Sequence, residues 1–216
     1  MRSRIAIATL GVAASTVLLV SGCGGSKSND TIKQPTTSPP SSSASASTSP
    51  SATTAAAGRP TITFPSYAKN VFEDQHTGDP VKDEILADNA QWVDSMDDAI
   101  FQGTTKTKAL SFYSTGKALT SAISYVKGYT KDGSKWAGTT RFFDRKVTLL
   151  GSDEASVIYC SDESKSWITT PGKPVDSSPA DASSYVLYNM DLKKNAQGVW
   201  QTDNGTSVRG AKQCQP

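Results

Sequence analysis

Apolar residues recur at spacings of three and four after Pro80, which is the periodicity of an amphipathic helix. Asp79 is suited to the N-cap, Pro80 is favoured at the first helical position, and Gly103 is suited to end the helix. The acidic residues fill the intervening positions, so we expect a solvated face made of Asp83, Glu84, Asp88, Asp94, Asp97 and Asp98. Two shorter helical patterns follow over 109–113 and 118–126, and the second is expected to stop at Gly128.

The pattern changes to an alternation of large and polar residues after Gly133, which predicts strands. We expect strands over 141–150, 155–160, 165–170 and 184–192, and a fifth from Val199. The core face of the first strand is predicted to carry Phe143, Val147 and Leu149. Asp203-Asn204-Gly205 fits either a hairpin turn or a bulge within the fifth strand. Helices followed by an antiparallel sheet make an α+β architecture.

The N-terminal residues 1–22 have the features of a signal peptide, with Arg2 and Arg4 before an apolar run that ends at Val20. Val20-Ser21-Gly22-Cys23 resembles the lipobox of bacterial lipoproteins. This resemblance implies a diacylglyceryl group on the Cys23 thiol, with acyl chains such as palmitate, and cleavage that leaves Cys23 as the first residue. The alternative is an ordinary secretory signal with a chance cysteine.

The chain after Cys23 is dominated by Ser, Thr, Ala and Pro up to Pro60. Such a segment cannot bury enough apolar surface to offset its ordering entropy, so we expect a disordered tether, either O-glycosylated or bare. The 4 tryptophans, 7 tyrosines and 6 phenylalanines all lie after position 60. The 216 residues therefore divide into a signal peptide (1–22), a lipidated cysteine with its tether (23–60) and one folded domain (61–216).

The net charge of +2 belongs to the signal and the tether, because residues 61–216 hold 17 basic and 19 acidic residues. A slightly acidic domain offers no electrostatic basis for binding nucleic acid.

Two cysteines are left once Cys23 is assigned to the lipid. An even pair outside the cytoplasm favours a disulfide between Cys160 and Cys214, which would fix the end of the chain to the sheet. Free or metal-binding thiols are the alternative, although two cysteines and one distant histidine make a poor metal site.

A series of short motifs in a fixed order suggests a family. These motifs are Trp92 in the first helix, Tyr113-Ser114-Thr115-Gly116-Lys117-Ala118-Leu119, Cys160-Ser161-Asp162, Trp167, Gly198-Val199-Trp200 and Cys214. Together with the lipobox and tether, they resemble the small actinobacterial lipoproteins with a nuclear transport factor 2-like domain, over about residues 80–214. The resemblance implies a cone of helices packed against a strongly curved antiparallel sheet, often with an apolar pocket, and exposure outside the cytoplasm. It implies no single function.

Candidate catalytic groups are few. His76 precedes the first helix and is expected to be a surface or capping residue. Asp144 alternates with Phe143 and is expected to face outward, where Lys146 can pair with it. The acids of the first helix are expected to be solvated rather than to form an acid/base pair. Phosphate loops, nucleophile elbows and metal-ligand clusters are absent from the sequence, so we expect neither cofactor nor metal, and no enzyme.

Aromatic residues are the remaining candidates, and Trp92, Tyr113, Phe143 and Tyr188 are expected to line a pocket for a small apolar ligand, together with Trp136 and Trp167. The alternative is that most of them are core residues. We expect a lipid-anchored protein on the extracytoplasmic face of the membrane, with a non-catalytic binding or scaffold domain and an envelope protein as a second kind of partner. A cone-pocket enzyme of the isomerase or dehydratase type, or a binder of a small apolar ligand, is the alternative.

Overall fold

The computed structural model describes residues 58–175 and 179–216. The predicted signal peptide, the lipidated Cys23 and the tether up to residue 57 lie outside the described residues. In the described part, one helical layer packs against a five-stranded sheet, which makes the domain α+β as predicted. No helix within these two ranges is long and apolar enough to span a membrane.

Three helices precede most of the sheet: α1 (Pro80–Gln102), α2 (Lys108–Tyr113) and α3 (Gly116–Thr130). The predicted ends of α1 are confirmed. The Asp79 side chain accepts from the backbone N–H groups of Val81 and Lys82, and Gly103 closes the helix in a left-handed conformation with φ 69°. The expected stop of α3 at Gly128 is wrong, because the helix continues through this glycine and ends at Thr130.

The sheet has the order β1 (Ala68–Phe72), β2 (Lys135–Leu149), β3 (Glu154–Thr169), β4 (Tyr185–Lys194) and β5 (Trp200–Arg209). β1 pairs in parallel with β2, and the other pairings are antiparallel. The prediction of a purely antiparallel sheet is therefore wrong, because the short β1 carries too few alternating residues to be identified from sequence.

β3 is one strand of 16 residues where two strands were predicted. Its register against β2 shifts between the pairs Thr139–Lys165 and Arg141–Asp162, so β3 carries an extra residue there. This bulge falls in the polar run Ser161–Ser164, which interrupts the alternation without ending the strand. The bulge alternative for β5 is also confirmed, since its register against β4 shifts at Asp203.

A bulge in β2 changes which residues face the core. Between the pairs Phe143–Cys160 and Lys146–Ile158, β2 has one extra residue, and Asp144 adopts φ 52°. As a result the face of Phe142 before the bulge continues as the face of Arg145 and Val147 after it, and Phe142 and Arg145 are buried on the helix side. Leu149 is exposed at the end of the strand. The predicted core face of Phe143, Val147 and Leu149 is therefore wrong for Phe143 and Leu149.

The core lies between α1 and the sheet and contains the fully buried Trp200, Tyr113 and Tyr159. The predicted disulfide is present: Cys160 of β3 and Cys214 of the last turn are bonded, with Cα atoms 5.5 Å apart. The disulfide belongs to a second apolar cluster with Ala211, Phe143 and Leu187. This cluster fixes the end of the described chain to the sheet.

Candidate functional site

An open cavity of about 1040 Å³ lies between α1, α3 and the helix-facing side of β2 to β5. Its size is at the upper end of the range of roughly 300–1,000 Å³ that is common for small-molecule sites. Aromatic side chains from both layers line it, among them Trp92, Trp136, Tyr159 and Tyr188. The cavity therefore combines a large volume with walls that are partly aromatic and partly polar.

The cavity opens between the end of α3 and the end of β3. Tyr125, Trp167 and Ile168 line this opening and are 47%, 44% and 52% exposed, and we call these three residues the mouth. Gly138 of β2 lies behind the mouth, paired with Ala68 of β1 and with Ser166 of β3. A Cβ atom at Gly138 would collide with the Lys165 carbonyl oxygen and the Trp167 ring, so glycine is needed for Trp167 to keep its place.

Two carboxyl groups of α1 share one amide donor beside the cavity. The Asn70 side-chain N–H donates to Asp94 at 2.9 Å and to Asp97 at 2.7 Å. The Trp136 indole N–H donates to the other oxygen of Asp97 at 2.9 Å. Asn70, Asp97 and Trp136 line the cavity, and the exposed fraction of Asp97 is only 8%.

Burial raises the pKa of both carboxyl groups. The pKa of Asp97 rises to about 7, against the hydrogen bonds from Asn70 and Trp136, and the nearby Asp94 raises it further. The pKa of Asp94 rises to about 6, also through burial, opposed by the Asn70 hydrogen bond and the charge of Arg145. The pair therefore titrates close to neutral pH.

The expectation of a solvated acidic face on α1 is wrong for Asp88, Asp97 and Asp98, which are buried, while Glu84 is exposed as expected. Asn70 of β1 covers Asp97, and the segment before β1 brings Arg59 to Asp88. Arg59 makes a two-pronged ion pair with Asp88, which also accepts from the Trp200 backbone N–H at 2.8 Å. Arg59 precedes the predicted start of the domain by two residues, yet its side chain is bound to the domain.

A signal for these buried acids exists in the sequence. The helix has no lysine or arginine after Lys82, whereas a solvated helical face normally mixes both signs of charge. Aspartate, asparagine and serine also favour helix interiors less than glutamate or lysine do, so their repeated use indicates specific hydrogen bonds. The acceptor for Asn70 and Trp136 cannot be identified from spacing alone, because both partners come from strands distant in the chain.

The predicted pocket residues divide into two groups. Trp92 and Tyr188 line the cavity, as do Trp136 and Trp167. Tyr113 is 1% exposed and lies in the main core, where Arg59 donates to its hydroxyl at 3.4 Å. Phe143 alternates with the buried Phe142 and lies on the other side of the sheet, where the Arg141 guanidinium is 4.0 Å from its ring centroid.

The two other candidate catalytic residues lie on the surface. The His76 side chain is 88% exposed, with Nδ1 3.7 Å from the Asp83 carboxylate. Asp144 is exposed at the β2 bulge. Within residues 58–175 and 179–216, no three His, Cys, Asp or Glu side chains are grouped so that they could hold a metal ion.

No protein-family model matches the chain, and no curated protein matches it in sequence. Among solved structures, the intermembrane space region of the chloroplast protein ARC6 is similar with a TM-score of 0.40 and 10% identity, over 57% of this chain and 92% of that chain. A domain of unknown function with a cystatin-like fold, from Nostoc punctiforme PCC 73102, is similar with a TM-score of 0.34 and 18% identity, over 62% of this chain and 78% of that chain. At these TM-scores the likenesses carry no inference about function.

Proposed function

We propose that this protein is a lipoprotein anchored through Cys23 to the extracytoplasmic face of a membrane, and that its nuclear transport factor 2-like domain binds a small molecule in the cavity. The lipobox at 20–23 and the polar segment that follows support the anchor. The arrangement of helices over a bulged sheet, with an open cavity between them, supports the cone and its binding role.

Unpartnered polar atoms in the cavity walls are the observation that carries the binding proposal. The buried Trp92 indole N–H lacks a hydrogen-bond partner, and Trp92 and Tyr159 both line the cavity at 6% and 1% exposed. The Tyr159 hydroxyl has Asn89 as a polar neighbour, without a hydrogen bond of good geometry. A buried polar group without a partner costs about 1–3 kcal/mol. A ligand that supplied these partners would recover that free energy, and aromatic walls would hold its apolar part.

Binding can be tested with the neutral fluorescent probe N-phenyl-1-naphthylamine, whose emission rises in an apolar pocket. Ser207 lines the cavity, whereas its neighbour Val208 points to the other side of β5. We expect Ser207→Trp to weaken probe binding by about ten-fold or more, since the indole occupies part of the cavity, and Val208→Trp to bind like the wild type. No binding by the wild type, or equal binding by both variants, would contradict the proposal.

A cone-pocket enzyme is the second candidate, and the Asp94–Asp97 pair favours it, because a carboxyl group with a pKa near 7 suits a general base. The test is deuterium exchange at the α-carbons of a ketone probe, cyclohexanone, followed by NMR in deuterated buffer. Exchange accelerated by the wild type and not by Asp97→Asn would favour the enzyme. Equal exchange with both proteins would favour the binding module.

A further inference from the structure

The charged side chains that line the cavity are mainly acidic. Asp97, Glu163 and Asp181 contribute carboxyl groups, and Arg209 contributes a guanidinium. No lysine or histidine of the described ranges lines the cavity. The lining therefore has more acidic than basic groups, unlike a site built for an anion.

Arg209 is already occupied. Its Nη1 donates to a Glu163 oxygen at 2.7 Å and to the Ser183 carbonyl oxygen at 2.7 Å, and its Nη2 donates to the other Glu163 oxygen at 3.3 Å. This two-pronged pair neutralises both charges at the edge of the cavity. Among the described residues that line the cavity, Asp97 and Asp181 are then the charged groups that form no ion pair.

Aromatic faces add to the negative potential. Trp136, Trp167 and Tyr188 line the cavity, and the face of an aromatic ring carries the negative part of its quadrupole. One face of the Tyr188 ring is stacked on Tyr159. Trp136 also donates its indole N–H to Asp97, so an aromatic ring and a carboxyl group are adjacent. Aromatic rings next to a carboxylate are the surroundings that proteins use to bind organic cations.

An unpartnered acceptor lies beside this carboxyl group. The amide nitrogen of Asn70 is used by Asp94 and Asp97, while its buried carbonyl oxygen has no donor. The Tyr159 hydroxyl, which can also accept, lacks a partner in the same cavity wall. Once the Asn70 and Tyr159 side chains turn towards the cavity, both atoms can accept from a ligand group that donates several hydrogen bonds, as an ammonium group does.

We propose that the cavity binds an organic cation, a primary or secondary ammonium group on an apolar body. The ammonium group lies near Asp97, Asn70 and Trp136, and the apolar body packs on the aromatic walls towards the mouth. This inference rests on the proposed function, because it names the class of ligand that the cavity takes.

Three probes of similar shape separate charge from size: phenethylamine, phenethyl alcohol and hydrocinnamate, which are cationic, neutral and anionic. Each displaces N-phenyl-1-naphthylamine from the wild type at about pH 8, above the pKa of about 7 for Asp97. We expect the amine to bind about ten-fold more tightly than the alcohol, and hydrocinnamate to bind most weakly.

Variants locate the charge that is responsible. We expect Asp97→Asn to reduce amine binding by about five-fold or more, since it removes the negative charge. It also replaces one of the two oxygens that accept from Asn70 and Trp136, and alcohol binding measures the effect of that change alone. Asp181 lies on the exposed edge of the cavity, so Asp181→Asn removes a second negative charge without changing a buried group. Its effect on the preference for amine over alcohol is measured in the same way. Glu154→Gln, exposed at the start of β3 and outside the cavity, is the matched control and leaves all three affinities unchanged.

The outcomes separate the two proposals. Equal binding of amine and alcohol, or tightest binding of hydrocinnamate, would overturn the cation inference and leave the cavity as a binding site. Failure of the naphthylamine probe and all three displacing probes to bind would overturn both. Amine selectivity that survives in Asp97→Asn and in Asp181→Asn would also overturn the assignment of the ammonium site.

Discussion

Asp97 holds its carboxyl group between two neutral donors, the Asn70 amide and the Trp136 indole. Neutral donors soften the cost of burying a charge but do not cancel it, so burial remains the dominant influence on its pKa. Asp88, buried in the same helix, is instead paired with the guanidinium of Arg59. Two aspartates nine residues apart on α1 thus have different roles, one in an ion pair and one beside a cavity.

The raised pKa of Asp97 predicts a particular dependence of stability on pH. The folded protein binds the proton more tightly than the unfolded chain, whose carboxyl has the ordinary pKa of 3.8. The free energy of unfolding should therefore fall as the pH rises from about 4 to about 7 and stay lower above that, by a few kcal/mol. Asp94 contributes in the same direction up to its pKa of about 6.

Asp97→Asn removes one of these two titrating groups. We expect the loss of stability between about pH 5 and about pH 8 to be smaller in this variant than in the wild type, as measured by urea denaturation at both pH values. Glu154→Gln, which is exposed, serves as the control and keeps the full loss. A variant with the wild-type loss would show that Asp97 is ionised in the folded protein throughout this range.

At the scale of the elements, the sequence predicts the end of a helix correctly where a single capping residue determines it. Asp79, Pro80 and Gly103 fix the ends of α1 through caps that depend on adjacent residues. The bulge at Asp144 is different, because one extra residue reverses the alternation that follows it, and nothing in the sequence 141–150 marks its position. For this reason the sequence alone does not predict that Phe142 before the bulge and Arg145 after it lie on the same face.

The disulfide connects elements that are distant along the chain. It joins β3 to the turn after β5 across 54 residues, and the chain-entropy model gives such a loop roughly 4 kcal/mol. We expect the double variant Cys160→Ser, Cys214→Ser to fold and to lose about 2–4 kcal/mol of stability in urea denaturation, because Ala211, Phe143 and Leu187 still pack around the site.

Mass spectrometry of the wild type provides the control for this prediction. The unreduced protein should accept no alkylating reagent at Cys160 or Cys214, and reduction should make both thiols available. Two alkylated thiols before reduction, or a double variant as stable as the wild type, would count against the bond or against its contribution to stability.

In the molecule as a whole, the chain enters the domain far from the mouth of the cavity. Arg59 binds Asp88, which accepts a hydrogen bond from the backbone N–H of Trp200 at the start of β5. The starts of β3 and β5 lie at the same end of the sheet, because both pair with the last residues of β4. Trp167 and Ile168 lie at the other end of β3, roughly 40 Å along the strand. The first described residues therefore lie at the opposite end of β3 from Trp167 and Ile168.

Much of the site depends on these long-range relations, so only part of it could be predicted. Trp92 and Tyr188 can be predicted as lining residues because both are large and lie on elements that the sequence pattern identifies, α1 and β4. Asp97 was assigned to a solvated face because β1, which covers it, has only five residues and little pattern of its own. Residues that depend on an unidentified element cannot be placed from sequence.

The anchor is a prediction about the chain before the domain, and its basis is the lipobox at 20–23. We expect the wild type, produced in its native host, to remain in the membrane fraction, because two acyl chains on Cys23 are enough for stable attachment. Cys23→Ala should release the protein into the medium, as measured by immunoblot of both fractions. Ser26→Ala, three residues away, is the matched control and should stay in the membrane. Retention of Cys23→Ala in the membrane would refute the lipid anchor, while the cavity and its ligand would be tested independently.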